Sequence, residues 1–399
     1  MDSIEQTKRE YLEKIFDACF KDGERCDLII SASYSLDDVK DIILGLKDQY
    51  NINQVIFFDF DYEQMKGLSE RELTPAEIER LIPKYEIPQG KTKIMYFIND
   101  TTSKTIIYEE CYIRYAQYWG MVNPEIMKIC SEKDTSKLIV TVCPNKLWAK
   151  ALYGSEDRLD DLWQLINQSV PSRETLHEEI EMLIEMQRKL EMLRIHNLEF
   201  HTDLGTDFRI SLTKHSVWVF EQSLKNKKGF YYNFPSFEIF TAPNCHSAEG
   251  RIVTSRKHRF YYDTFLERAT LVFKKGKIVG CEADNEIFGR IIQYPQNRLN
   301  RIGEIALVSQ DSFLSRQNIF FDSILLDENT GCHFALGEAF EECTDLPSEL
   351  IRKRGLRHYR FNTSNYHEDM VFGDESITVD AQTYGGQKVL IMEKGRWKL

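Results

Sequence analysis

Short apolar runs alternate with helix-period stretches through the first 170 residues of this chain. Residues 27–31, 54–60, 93–98 and 137–143 are rich in β-branched and aromatic side chains, which predicts buried strands. Between them, residues 36–50, 75–85 and 108–119 carry apolar positions at helical spacing. Strand and helix in this alternation predict an α/β layer on a largely parallel sheet. A long charged helix is expected over 172–196, with Leu176, Ile180, Leu183, Ile184, Met186, Leu190 and Leu193 as its apolar positions. It reads as an amphipathic connector, since a coiled-coil seam needs roughly three to four heptads. The helix should end near Asn197, after which the period becomes two. Residues 208–212, 217–220, 268–273, 277–282 and 388–393 predict strands of a mostly antiparallel, α+β second domain. The expected division is therefore 1–195, an α/β N-terminal domain ending in the long helix, and 196–399, a strand-rich C-terminal domain.

Composition narrows the function classes. The formal net charge of −12 argues against a phosphate-backbone partner, which needs clustered Lys and Arg. No G-x-G-x-x-G follows a strand and no Walker sequence occurs, so nothing marks the first half as nucleotide-binding. No apolar stretch approaches the roughly 18–20 residues that cross a bilayer, and the first ten residues contain no apolar signal core. Nine cysteines without a Cys-x-x-Cys pair read as reduced thiols. A cytoplasmic protein is expected.

Chemistry gathers in the last third of the chain. Glu238, Glu304, Glu328, His333, His367 and Asp369 combine two imidazoles with four carboxylates, the mixture that zinc, cobalt or manganese prefers. His367 and Asp369 are two apart in a strand-like segment, so both face one side. Glu328 and His333 flank Asn329-Thr330-Gly331, residues that favour a turn able to bring the two together. Glu304 in Gly-Glu-Ile-Ala-Leu and Glu238 before Ile-Phe-Thr are acids inside apolar runs, costly there unless paired or metal-bound. Taken singly, each acid is more often half of an ion pair or an exposed side chain than a metal ligand. The other seven histidines (His177, His196, His201, His215, His246, His258 and His358) read as surface or core residues.

The segments 233–243, 303–308, 326–339 and 362–370, in that order and with similar spacing, resemble the signature blocks of the thermophilic-type metallo-aminopeptidases. Gly205-Thr206-Asp207 and the closing Lys394-Gly395-Arg396-Trp397 extend the likeness over roughly 195–399, while over 1–195 it is faint. The resemblance implies that the six residues above hold two divalent ions, zinc foremost, with cobalt, manganese or magnesium as alternatives. It implies an exopeptidase, usually homodimeric, that releases N-terminal amino acids from peptides through a water bridging the ions. Glu304 matches the bridging carboxylate and is the expected catalytic residue.

Two positions depart from the family pattern. Phe237 precedes Glu238 where two adjacent acids are common. Phe340 stands where the family usually carries a tyrosine thought to assist catalysis. A phenol donates a hydrogen bond to a developing oxyanion, whereas a phenyl ring does not. This leaves two other readings open: a peptide-tailoring amidohydrolase on the same site, or an inactive, metal-retaining homologue that binds peptides or a partner. The basic run 352–358 reads as a solvated loop or, if it overhangs the site, as a receptor for a substrate carboxylate. Cys332, beside a ligand, reads as a packing residue because no base stands at recognisable spacing.

Overall fold

The computed structural model describes residues 3–20, 23–61, 65–66, 71–86, 88, 91–98, 112–132, 135–221, 231–260, 264–293 and 297–399. The chain forms two compact units, Met1–Leu176 with Lys225–Pro235, and His177–Leu224 with Ser236–Leu399. The long helix runs Arg173–Leu193, so the units part within its first turn rather than near 195.

The first unit contains a five-stranded parallel sheet, in the order Ile52–Asp59, Cys26–Ala32, Lys91–Phe97, Thr135–Thr141, Tyr231–Asn233. Its first four strands lie on the predicted apolar runs. They are apolar because helices cover a parallel sheet on both faces. Ile29, Phe58 and Ile94 pack with Tyr118, Val122 and Ile126 of the helix Tyr112–Glu132. That helix runs past the predicted limit at 119 and through Pro124; the start predicted at 108 lies outside the described residues. The helix Ser3–Cys19, which was not anticipated, buries Tyr11, Leu12, Ile15, Phe16 and Cys19 on one stripe. The helix Pro75–Leu81 begins where the residues require it: Thr74 and Glu77 form a reciprocal capping box and Pro75 occupies the first turn.

The second unit is strand-rich and antiparallel, as predicted. Eight strands pair in the order Lys277–Ala283, Ala269–Lys274, Glu249–Val253, Asp207–Ser211, Ile195–His201, Thr378–Thr383, Lys388–Glu393, Arg396–Trp397. A separate four-stranded sheet runs His367–Val371, His333–Gly337, Ile302–Val308, Glu238–Thr241. One hydrophobic core joins the two sheets, with Phe200, Phe208, Ile210 and Leu271 from the first and Ile239, Ile305, Leu307, Phe334, Leu336 and Met370 from the second.

Two local expectations are corrected. The helix ends at Leu193 because Arg194 takes a left-handed conformation (φ 46°), and Ile195 begins a strand, so His196 is not helical. Residues 217–220 do not form a regular strand; Val219 makes one isolated bridge to Phe240. No helix is long and apolar enough to cross a membrane among the described residues.

Candidate metal centre

Five of the six predicted residues lie on one face of the four-stranded sheet. Register explains how. Glu304 pairs with Ala335, and Ala335 with Asp369; Ala306 pairs with His333, Gly337 with His367, and Val308 with Glu238. Because strand residues alternate between faces, Glu304, Ala306 and Val308 share a side with His333, Ala335 and Gly337, with His367 and Asp369, and with Glu238. The opposite side carries Ile305, Leu307, Phe334, Leu336 and Met370 into the core. Small residues at 306, 335 and 337 leave room between the larger polar ones. Gly337 is also required by the backbone, since its φ is +107° and a Cβ there would lie 2.1 Å from Tyr366 O.

The polar atoms converge in two groups that share Glu304: Glu238, Glu304 and His333, and Glu304, His367 and Asp369. His333 Nε2 is 2.9 Å from Glu238 Oε2 and 3.7 Å from Glu304 Oε1. His367 Nε2 is 3.3 Å from Asp369 Oδ1 and 3.9 Å from Glu304 Oε2. Glu304 thus turns one oxygen toward each imidazole. Glu328 stands outside both groups, buried on the 3-10 turn Glu328–Thr330 that leads to His333. Its carboxyl is close enough for the charges of Glu238 and Asp369 to act on it.

Both imidazoles are oriented by the backbone. His333 Nδ1 faces Gly331 O at 3.3 Å and His367 Nδ1 faces Glu338 O at 3.0 Å. A carbonyl only accepts, so Nδ1 carries the proton and each neutral ring offers the Nε2 lone pair to the carboxylate side, the arrangement seen for metal-bound histidines. Phe340 stacks on the His367 ring at 4.4 Å and 29°. The turn carrying Glu328 is fixed by Asp327, which accepts from the backbone N–H of Phe321 at 2.7 Å and of Ser323 at 2.9 Å.

The charge balance favours a cation. Burial raises the Glu304 carboxyl, and His333 and His367 only partly offset it. Burial, then Glu238 and Asp369, push Glu328 well above the usual carboxylate range. Burial would lower His367, but Asp369 and Glu304 outweigh it and drive the imidazole up to about 9. His333 likewise rises against its burial, through Glu238 and Glu304. Asp369 falls, since His367 and His333 outweigh its burial. Among the described residues no Lys or Arg pairs with Glu238, Glu304 or Asp369, and Glu238 Oε2, Glu304 Oε2 and Asp369 Oδ1 are buried without a hydrogen-bond partner. Carboxylate oxygens and imidazole nitrogens crowded into two groups with no Lys or Arg among them fit divalent cations held between them.

Cys332 is fully buried and its thiol is pushed up to about 11, first by burial, which suits packing and not nucleophilic attack. Phe237 is buried and cannot act as a ligand. Residues 352–358 lie on the exposed end of the helix Ser348–Arg354 and the turn Leu356–Tyr359. His258, read as a surface or core histidine, is buried and bonded through Nε2 to Glu368 Oε1 at 2.7 Å, directly behind the two ligands that flank Glu368. Asn329, expected only as a turn residue, also accepts the backbone N–H of Phe237 at 2.6 Å, a contact that only the folded chain brings about.

Residues 89–397 match the model of the thermophilic metalloprotease family, M29. The chain is 29% identical over 286 residues to aminopeptidase PepS of Streptococcus thermophilus, which covers 68% of each. It is 33% identical over 201 residues to aminopeptidase AmpS of Bacillus subtilis, 48% of this chain and 47% of that one. Among solved structures, wild-type AmpT from Thermus thermophilus superposes with a TM-score of 0.75 at 21% identity, covering 98% of this chain and 100% of that one. A dihydroxypyridine dioxygenase from Pseudomonas putida superposes at 0.52 and 13% identity. At such identities superposition shows the fold alone, and the fold hosts more than one chemistry. The family match over 89–397 decides between them: the chain belongs to the thermophilic metalloprotease (M29) family, hydrolases that act on peptides.

Proposed function

We propose that the chain is an aminopeptidase that holds two divalent ions with Glu238, Glu304, Glu328, His333, His367 and Asp369, and hydrolyses the N-terminal peptide bond with a water bridging them. The observation that carries this reading is Glu304, which belongs to both donor groups and turns a separate oxygen to each imidazole. One ion would take Glu238, His333 and one Glu304 oxygen; the other would take His367, Asp369 and the second Glu304 oxygen. When bound, such ions lower the pKa of a shared water toward neutrality and polarise the scissile carbonyl. Zinc suits the mixed imidazole and carboxylate donors, as do cobalt and manganese.

The chain's own residues supply the rest. Gly331 O and Glu338 O hold the two rings in register, the buried face excludes bulk water, and Glu304 fixes the distance between the two halves. Cytoplasmic location and a homodimer complete the proposal. Phe340 supports a second reading. Its ring stacks on His367 and offers no hydroxyl to a developing oxyanion, so an amidohydrolase or a peptide-binding protein without turnover would keep the same ions.

Metal analysis by mass spectrometry, together with hydrolysis of a panel of aminoacyl amides and N-blocked peptides, separates these. Two ions per chain and turnover only on free amines are expected. Turnover confined to N-blocked peptides would assign the amidohydrolase, and bound metal without any turnover would assign the binder. Protein without stoichiometric metal would end the metal reading altogether.

A further inference from the structure

The segment Asn362-Thr363-Ser364 ties two arginines to the backbone that orients His367. Arg298 Nε donates to Asn362 Oδ1 at 2.9 Å, and Asn362 Nδ2 donates back to Arg298 O at 3.1 Å. Arg357 Nε donates to Thr363 Oγ1. The Ser364 N–H donates to the Glu338 carboxylate, and the Glu338 carbonyl faces His367 Nδ1 at 3.0 Å. Both guanidinium groups are therefore anchored on consecutive residues of the segment that reaches His367 through Ser364 and Glu338.

Neither arginine has a salt-bridge partner among the described residues. Burial, then the like charge of Arg357, holds Arg298 below its ordinary value, so the two cations are near enough to repel. Glu338 is the acid within reach of Arg357, and it already accepts the Ser364 N–H. A guanidinium has five N–H donors in a fixed fork, and Arg357 commits only Nε to the protein. Two guanidinium groups anchored on neighbouring residues, with N–H donors to spare, form a receptor for a planar anion.

We propose that Arg357 and Arg298 bind the C-terminal carboxylate of a short peptide whose N-terminal bond is cleaved at the metal centre. The proposal rests on the aminopeptidase reading.

The test compares kcat/KM for a dipeptide, its C-terminal amide, and an amide carrying Glu as its second residue. The wild type should prefer the dipeptide to its amide by about tenfold or more, as a charge-assisted bidentate contact would give. Arg357→Gln should cut that preference about tenfold through KM, and Thr363→Val, which keeps both charges but frees Arg357, should cut it less. Arg352→Gln, on the exposed helix Ser348–Arg354, should leave the preference intact. Equal rates on dipeptide and amide, or equal losses on both in Arg357→Gln, would overturn the site. A preference for the Glu-containing amide over the dipeptide would overturn the C-terminal assignment. If the wild type cleaves none of the three, the aminopeptidase reading fails separately, and calorimetric titration decides the carboxylate site. Tighter binding of the dipeptide than of its amide would uphold it; equal binding, or none, would overturn it.

Discussion

The side-chain carbonyl of Asn329 accepts the backbone N–H of Phe237 at 2.6 Å, while its amide donates to Leu325 O at 3.1 Å. Asn329 is fully buried, and it joins the turn bearing Glu328 to the strand that begins at Glu238. Asn329→Ala strands a buried N–H and carbonyl, each costing about 1–3 kcal/mol. It should lower the melting temperature and, by loosening two proposed ligands together, weaken metal retention about 10–100-fold. Asn329→Asp keeps the acceptor for the Phe237 N–H but sets a second acceptor against Leu325 O, so it should not recover the Leu325 half of the loss. Thermal scans and metal titration check these outcomes.

Glu304→Gln removes the one charge common to both donor groups while keeping the shape of the side chain. Turnover should fall to background, and at least one ion should be lost on dialysis. Two ions retained together with full activity would remove Glu304 from the bridging role.

Metal uptake should depend on pH with a defined sign. In the metal-free chain His367 is raised from 6.5 to about 9, chiefly by Asp369 and Glu304 acting against its burial. A folded pKa above the unfolded one adds stability that is complete below the unfolded value and is lost as pH rises through the folded one. Metal-free protein should therefore lose stability between about pH 6.5 and 9. Glu304 and Glu328, also raised, act in the same sense; Asp369, lowered, acts oppositely but in the acid range. Metal needs the neutral imidazole, so binding should release protons and tighten as pH rises through the same window. Calorimetry in buffers of different ionisation enthalpy measures that release. An affinity flat from pH 6 to 9 would refute it.

Phe340→Tyr places a hydroxyl beside His367. With the ring 39% exposed, the extra atom has space, and stability should change by no more than about 0.5 kcal/mol. If the missing donor limits turnover, kcat should rise by as much as about 10²–10³-fold. An unchanged kcat would mean that another group already serves the oxyanion.

The parts of this molecule readable from sequence are those whose signal is local. The four apolar strands of the parallel sheet announce themselves because both faces are buried. His367 and Asp369 reveal a shared face because a strand has a period of two, and Glu304 stands out as an acid in an apolar run. What sequence hides is pairing at a distance. Nothing local places Tyr231–Asn233 beside Thr135–Thr141 as the fifth strand of the first sheet, or stops 217–220 from pairing regularly. Ile184 keeps the helical spacing of its neighbours yet is 52% exposed, because the buried stripe of Leu183, Met186 and Leu190 is narrower than the apolar pattern. Asn329 and Glu338 act through contacts across many residues, one by its side chain and the other by its carbonyl.

Behind the ligand face, the short strand His258–Phe260 supports the site twice. His258 holds Glu368, and Arg259 grips Asp322 through Nε–Oδ1 and Nη2–Oδ2 bonds, both 2.7 Å. Asp322 is 2% exposed, has φ 56°, and precedes the short helix Ile324–Asp327 that leads to Glu328. Arg259→Ala would take the two-bond Arg259 pair away from that buried carboxylate, which should destabilise the protein by about 3–5 kcal/mol. Pairing it with Asp322→Asn removes the charge that Arg259 faces and should recover part of the loss, so the two changes will not add. Because that helix carries Glu328 at its end, Arg259→Ala should also weaken metal retention, although Arg259 is not among the proposed ligands. Urea unfolding of metal-free and metal-loaded protein measures both effects, and a larger loss in the loaded form would show that the clamp positions Glu328 as well as holding the fold.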